Sequence, residues 1–119
     1  MDLSIFKSTQ LSGGFILLDV ERSSEPFADA IGRPALAKTS IIGHRFEIIV
    51  ADHLGERELS VTLYHEVLEA ATVAADPAPA CVTELNEQDF DRIAYQMHEQ
   101  LGLATPSNLN RMLEMFHFT

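Results

Sequence analysis

The sequence predicts an α+β fold: a small antiparallel sheet followed by three helices. Three observations carry this. Two short apolar runs, Phe15–Val20 and Arg45–Asp52, have strand character and lie in the first half. Three segments with helical periodicity fill the second half. The 119 residues fit one domain, residues 1–119, large enough to fold without disulfides or a structural metal.

The elements follow in order. Gly13-Gly14 marks a turn, and Phe15–Val20 (FILLDV) reads as the first strand. Glu21–Pro34 reads as a loop, with a helical turn expected in Pro26–Ile31. Ala35–Ile42 carries no decisive pattern. Gly43 suggests a hairpin turn or bulge before Arg45–Asp52, where Phe46, Ile48 and Val50 alternate onto one face. Leu59, Leu63, Val67, Ala70 and Ala74 then recur at spacings of three and four, the stripe of a helix that Asp76-Pro77-Ala78-Pro79 stops. Asn86 has N-cap character ahead of Glu87 and Asp89. Phe90, Ile93, Ala94, Met97 and Leu101 form a second helical stripe, ended by Gly102. Thr105-Pro106 opens a short third helix carrying Leu109, Met112, Leu113 and Phe116.

Composition narrows the function. Eight basic residues face 18 acidic ones, a net charge of −10. Phosphate neutralisation dominates nucleic-acid affinity, so no nucleic-acid partner is expected, and anionic membranes are disfavoured for the same reason. No apolar run approaches the ~20 residues that span a bilayer. Met1–Gln10 lacks the basic and apolar regions of a signal peptide, so a cytoplasmic location is expected. The single cysteine, Cys81, excludes an intrachain disulfide and the multi-cysteine zinc sites. It reads as a small apolar filler. A metal site here has to use His and carboxylates. His44 and His53 read as turn residues flanking the second strand, and His117 as part of a frayed end.

The segment with chemical content is Ser60–Ala75 (SVTLYHEVLEAATVAA). At ~100° per residue, His65 and Glu69 project within about 40° of each other, with Glu66 about 60° beyond Glu69. Two side chains at i, i+4 can grip one ion from the same helix face, as in H-E-x-x-H zinc helices. Glu66 follows the first ligand, where such helices carry the general base. The same arc, with Thr62 and Thr72, also reads as an ordinary solvated face. On the next helix, Asp91, Tyr95 and His98 share a face at i, i+4, i+7. Asp91 can serve as a third ligand, with Tyr95 or His98 as a supporting or transition-state partner; a plain polar flank has the same pattern. Glu84 and Glu87 are competing carboxylates at that helix start, although Glu87 and Asp89 are accounted for as partners of the helix dipole.

The run from Gly43 to Ala71 resembles the small zincin-like metallopeptidase domains of phage and bacterial genomes. In those domains a strand and a polar turn lead into a helix of the type T-L-L-H-E-x-x-H, and a second helix of the type V-E-R-L-A follows. Thr62-Leu63-Tyr64-His65-Glu66 matches the first helix and Phe90-Asp91-Arg92-Ile93-Ala94 is similar to the second, so the likeness covers roughly residues 40–101. The resemblance implies a minimal zincin-like (gluzincin-type) fold with zinc or another divalent metal as cofactor. It implies His65 as a ligand, Glu66 as the catalytic base and Asp91 as the third ligand. It also implies a peptide or protein substrate paired along Arg45–Asp52 as an edge strand. Two positions depart from the pattern. Glu69 stands where the second ligand histidine is expected, and Asp91 where the third ligand is a glutamate. A His/Glu/Asp set is a harder donor set that suits Mn²⁺ or Fe²⁺ better, and its charge lowers the acidity of bound water. The expectation is therefore a metal-dependent peptidase, with a catalytically inactive zincin-like binding module as the alternative. A third reading is an unrelated fold whose acidic surface serves solubility alone.

Overall fold

A computed structural model describes residues 1–25 and 35–118. The expected helical turn at Pro26–Ile31 lies outside them. A short 3-10 turn at Leu3–Phe6 precedes four strands: β1 (Thr9–Leu11), β2 (Phe15–Ser23), β3 (Ala37–Ile42) and β4 (Arg45–Ala51). Three helices follow: α1 (Glu56–Ala74), α2 (Glu87–Leu101) and α3 (Pro106–Met115). The α+β class and the strands-then-helices order are as expected.

The sheet is mixed rather than antiparallel. Its order is β1-β2-β4-β3. β1 and β2 pair antiparallel, as do β3 and β4, but β2 and β4 run parallel. The segment after β2 carries the chain past one strand position, so β4 enters between β2 and β3. The undecided stretch Ala35–Ile42 thus becomes the edge strand β3, while Arg45–Ala51 is internal and paired on both sides. The expected edge at Arg45–Asp52 is replaced by β3.

Two glycines set the hairpins. Gly13 adopts φ 92, and a Cβ there would lie 2.9 Å from the Phe15 ring. Gly43 adopts φ 62 at the first position of the two-residue turn between Ile42 and Arg45. A bulge in β2 between Leu17 and Asp19 keeps Phe15, Leu17 and Val20 on the buried face. β4 needs no bulge, since Phe46, Ile48 and Val50 alternate cleanly inward.

The core lies between this face and the helices, with α1 at its centre. Leu59, Leu63, Tyr64, Val67, Leu68 and Ala71 are all 2% exposed or less, wider than one amphipathic stripe. Each fully buried Leu contributes about 1.5–3 kcal/mol. Two helix starts are capped as predicted. The Asn86 side chain accepts from Asp89 N–H and the Asp89 carboxylate accepts from Asn86 N–H, a capping box for α2. Thr105 caps α3, with Pro106 in its first turn. The chain end is pinned rather than frayed: Phe118 is buried and its N–H donates to Leu113 C=O. Cys81 is exposed, with its thiol against the Phe116 carbonyl, and fills no core space.

α1 and α2 lie antiparallel and are tied at one end. The buried Ser60 Oγ accepts from Ala104 N–H at 2.8 Å and bonds His98 Nδ1 at 2.9 Å. The Tyr64 hydroxyl donates to Gly102 C=O at 2.9 Å. Burial pushes the Tyr64 phenol up to about 12, so it remains a donor. None of the described helices is long and apolar enough to cross a membrane.

Candidate metal centre

The polar arc of α1 is covered rather than solvated. β3 lies on one side of it and α2 on the other, and His65, Glu66 and Glu69 are all partly buried. A groove of about 790 Å³ runs between the three elements.

His65 is the hub. Its side chain is only 13% exposed, and both ring nitrogens are engaged. Nε2 lies 3.1 Å from Glu69 Oε2, one turn on along α1, and 3.3 Å from Glu87 Oε2 in the first turn of α2. Nδ1 lies 2.7 Å from Asp91 Oδ1. The helix pairing thus brings His65 and Asp91 together, as the sequence leads one to expect, but on the opposite side of the ring from Glu69. Glu87, assigned above to the helix dipole, takes the place beside Glu69. Asp89 alone completes the α2 cap, which leaves the exposed Glu87 side chain free to reach His65. Among the described residues Glu69 finds its partner in His65 and not in an arginine: Arg57 pairs with Glu99 and Arg92 with Asp89.

His65, Glu69 and Glu87 each offer one ligand atom, and these lie within 4.8 Å of one another. A metal bonded at ~2.1 Å to tetrahedral donors separates them by about 3.4 Å. Spacings of 3.1 and 3.3 Å from Nε2 are therefore compatible with a shared divalent ion. The donor chemistry, one imidazole and two carboxylates, also fits. Asp91 at Nδ1 fixes the tautomer that leaves Nε2 unprotonated for a ligand.

The electrostatics of the metal-free cluster follow from the same geometry. Burial alone would depress His65, but the Glu69 hydrogen bond and the charges of Glu66, Glu69 and Asp91 raise it to about 9. The His65 hydrogen bond holds the Glu69 carboxyl below its usual range. Glu87, beside that carboxylate, is lifted to about 7. A proton on His65 thus stands in for a cation.

Glu66 faces the same groove from the adjoining position of α1. Its Oε2 accepts a 2.7 Å hydrogen bond from Thr39 Oγ1 on β3. Burial pushes its carboxyl up, opposed in part by that hydrogen bond. Tyr95 lies in the groove wall, 53% exposed. His98 lies at the tied end of the helices, bonded to Ser60, and is not part of the lining. Glu87 was visible in the sequence only as a carboxylate four residues before Asp91, on the same helix face.

Comparisons with protein-family models, curated proteins and solved structures find no match.

Proposed function

We propose that this protein is a metal-dependent peptidase of the minimal zincin type. The observation that carries the reading is the convergence of Glu69 and Glu87 on one nitrogen of His65 while Asp91 holds the other, with Glu66 in the same groove. In this reading His65, Glu69 and Glu87 hold the ion, and Asp91 orients His65. A divalent ion there supplies Lewis acidity at the bond to be broken. Glu66 takes the proton of the attacking water and passes it to the departing amine, a role suited to a carboxyl raised by burial.

The edge strand β3 supports a peptide substrate. Leu36 C=O accepts from Ala51 N–H, so in this antiparallel ladder Lys38, Ser40 and Ile42 also bond towards β4. Ala37, Thr39 and Ile41 then turn their backbone groups to the free edge, and their side chains line the groove. An extended peptide adds there as a further strand.

The test is metal content by native mass spectrometry after exposure to Zn²⁺ or Mn²⁺, alongside peptide hydrolysis. One ion per chain, lost in His65→Ala, and cleavage abolished in Glu66→Ala are expected. Hydrolysis that survives Glu66→Ala overturns the mechanism. The Thr39 hydrogen bond, which occupies one oxygen of Glu66, favours a second reading: a catalytically inactive module that binds peptides along β3. Peptide binding without cleavage, at any metal loading, selects it.

A further inference from the structure

The groove carries a charge pattern that a generic peptide site does not need. Five carboxylates line it, Glu58, Glu66, Glu69, Glu87 and Asp91, and its described lining contains no Lys or Arg. Among the described residues, Arg57 is committed to Glu99 and Arg92 to Asp89. Lys38 alternates with the groove-lining Ala37 and Thr39, so it belongs to the opposite face of the sheet. A bound divalent ion balances two of these carboxylates, Glu69 and Glu87, and His65 engages Asp91. Glu66 accepts a hydrogen bond from Thr39, and Glu58 remains, exposed at the groove wall.

Glu58 does not stand alone. It precedes His65 by seven residues, two helical turns or about 10.5 Å. Arg57 pairs with Glu99 and His65 with Asp91, so the antiparallel α2 places Tyr95 about midway between those levels, within one helical turn of the level of Glu58. Tyr95 is a large exposed aromatic in that wall. An acid and an aromatic face together receive a Lys or Arg side chain, the acid by charge and the ring by its quadrupole. An extended chain rises about 3.3 Å per residue, so 10.5 Å corresponds to about three residues.

We infer that Glu58 and Tyr95 form a specificity subsite for a basic side chain, about three residues along an extended peptide from the position beside His65. The protein's partner is thus a cationic peptide segment. This rests on the groove being a peptide site, as proposed above. The net charge of −10 assists by drawing basic partners to the surface as a whole.

The experiment uses the full chain carrying Glu66→Gln and loaded with Zn²⁺. Fluorescent peptides of one neutral host sequence carry Lys or Glu at each position in turn, and binding is read by anisotropy. One position should prefer Lys over Glu by about tenfold at low salt, a preference that salt weakens. Glu58→Lys should erase it and Tyr95→Ala should reduce it. No positional preference, a preference that survives Glu58→Lys, or no binding by any peptide overturns the inference. Wild-type protein with metal is then given the preferred peptide and the products are weighed. Intact peptide with the preference retained removes the peptidase reading and leaves the subsite standing. Cleavage without a preference does the reverse.

Discussion

Metal-free protein should lose stability as pH rises from neutral, and the size of the loss follows from His65. Its pKa is about 9 in the fold against the ordinary 6.5, because Glu69, Glu66 and Asp91 together outweigh its burial. Each tenfold gain in proton affinity corresponds to about 1.4 kcal/mol, so the cluster stabilises the folded state by about 3 kcal/mol when His65 is charged. The side chain is only 13% exposed, so solvent screens this little. Because the folded pKa is raised, the contribution is complete below about pH 6.5 and is lost as pH climbs through 9. Glu66, raised by burial, and Glu87, lifted to about 7, favour acid in the same direction, but Glu87 is exposed and its change is complete at lower pH. Glu69, held low, acts oppositely and only in acid. The window from 7 to 9 therefore belongs to His65. Urea denaturation in the presence of a chelator, at fixed ionic strength, reads the free energy across it. Wild type should fall by about 2 kcal/mol between pH 7 and 9, a large share of a small domain's ~5–15 kcal/mol, and His65→Gln should be nearly flat. Added Zn²⁺ should reverse the slope, since the ion must displace the His65 proton. A flat wild-type profile, or a His65→Gln profile as steep as wild type, refutes the reasoning.

Other outcomes follow from single contacts. Asp91→Asn should weaken metal affinity by about 10–100-fold in chelator competition while leaving the three ligands in place. Asn86→Ala removes the side chain at the centre of the α2 capping box, so urea denaturation should show a loss of about 1 kcal/mol. It should also weaken metal binding, because the frayed turn is the one that carries Glu87. Ser60→Ala strands the buried Ala104 N–H and one nitrogen of His98, and should cost about 1–3 kcal/mol by the same assay without changing metal content.

The helices were readable from the sequence because their signals are local. Asn86 with Asp89, Thr105 with Pro106 and the Phe90–Leu101 stripe each lie within a few residues of one another. The sheet was less so. β3 offers no clean alternation, since Ile41 and Ile42 are both exposed on an edge. Nothing near Phe15–Val20 announces that its neighbour will be the later of two strands and parallel to it. β1 has three residues and is held from a distance, by Asn110 of α3 bonding Gln10 C=O and Ser12 N–H. At the candidate site, His65, Glu66 and Glu69 sit on one helix, so spacing alone groups them. Choosing between Glu87 and Asp91 needed the crossing geometry of two helices. Both face α1, and which ring nitrogen each meets depends on their depth along the helix axis.

The bonds from Ser60 and Tyr64 that tie the far end of α1 to α2 and the chain just beyond it have a consequence for how the protein would take up an ion. Glu87 belongs to the opposite end of α2, near the connector from Ala75 to Asn86. The two helices are thus a clasp, closed at one end by buried hydrogen bonds beside the exposed Arg57–Glu99 pair and at the other by the charged cluster on His65. An ion entering the charged end finds the hinge already set. Uptake should then exchange a proton for a metal within a folded chain rather than fold the chain around it. Such a clasp can be emptied and refilled without unfolding the sheet beneath it.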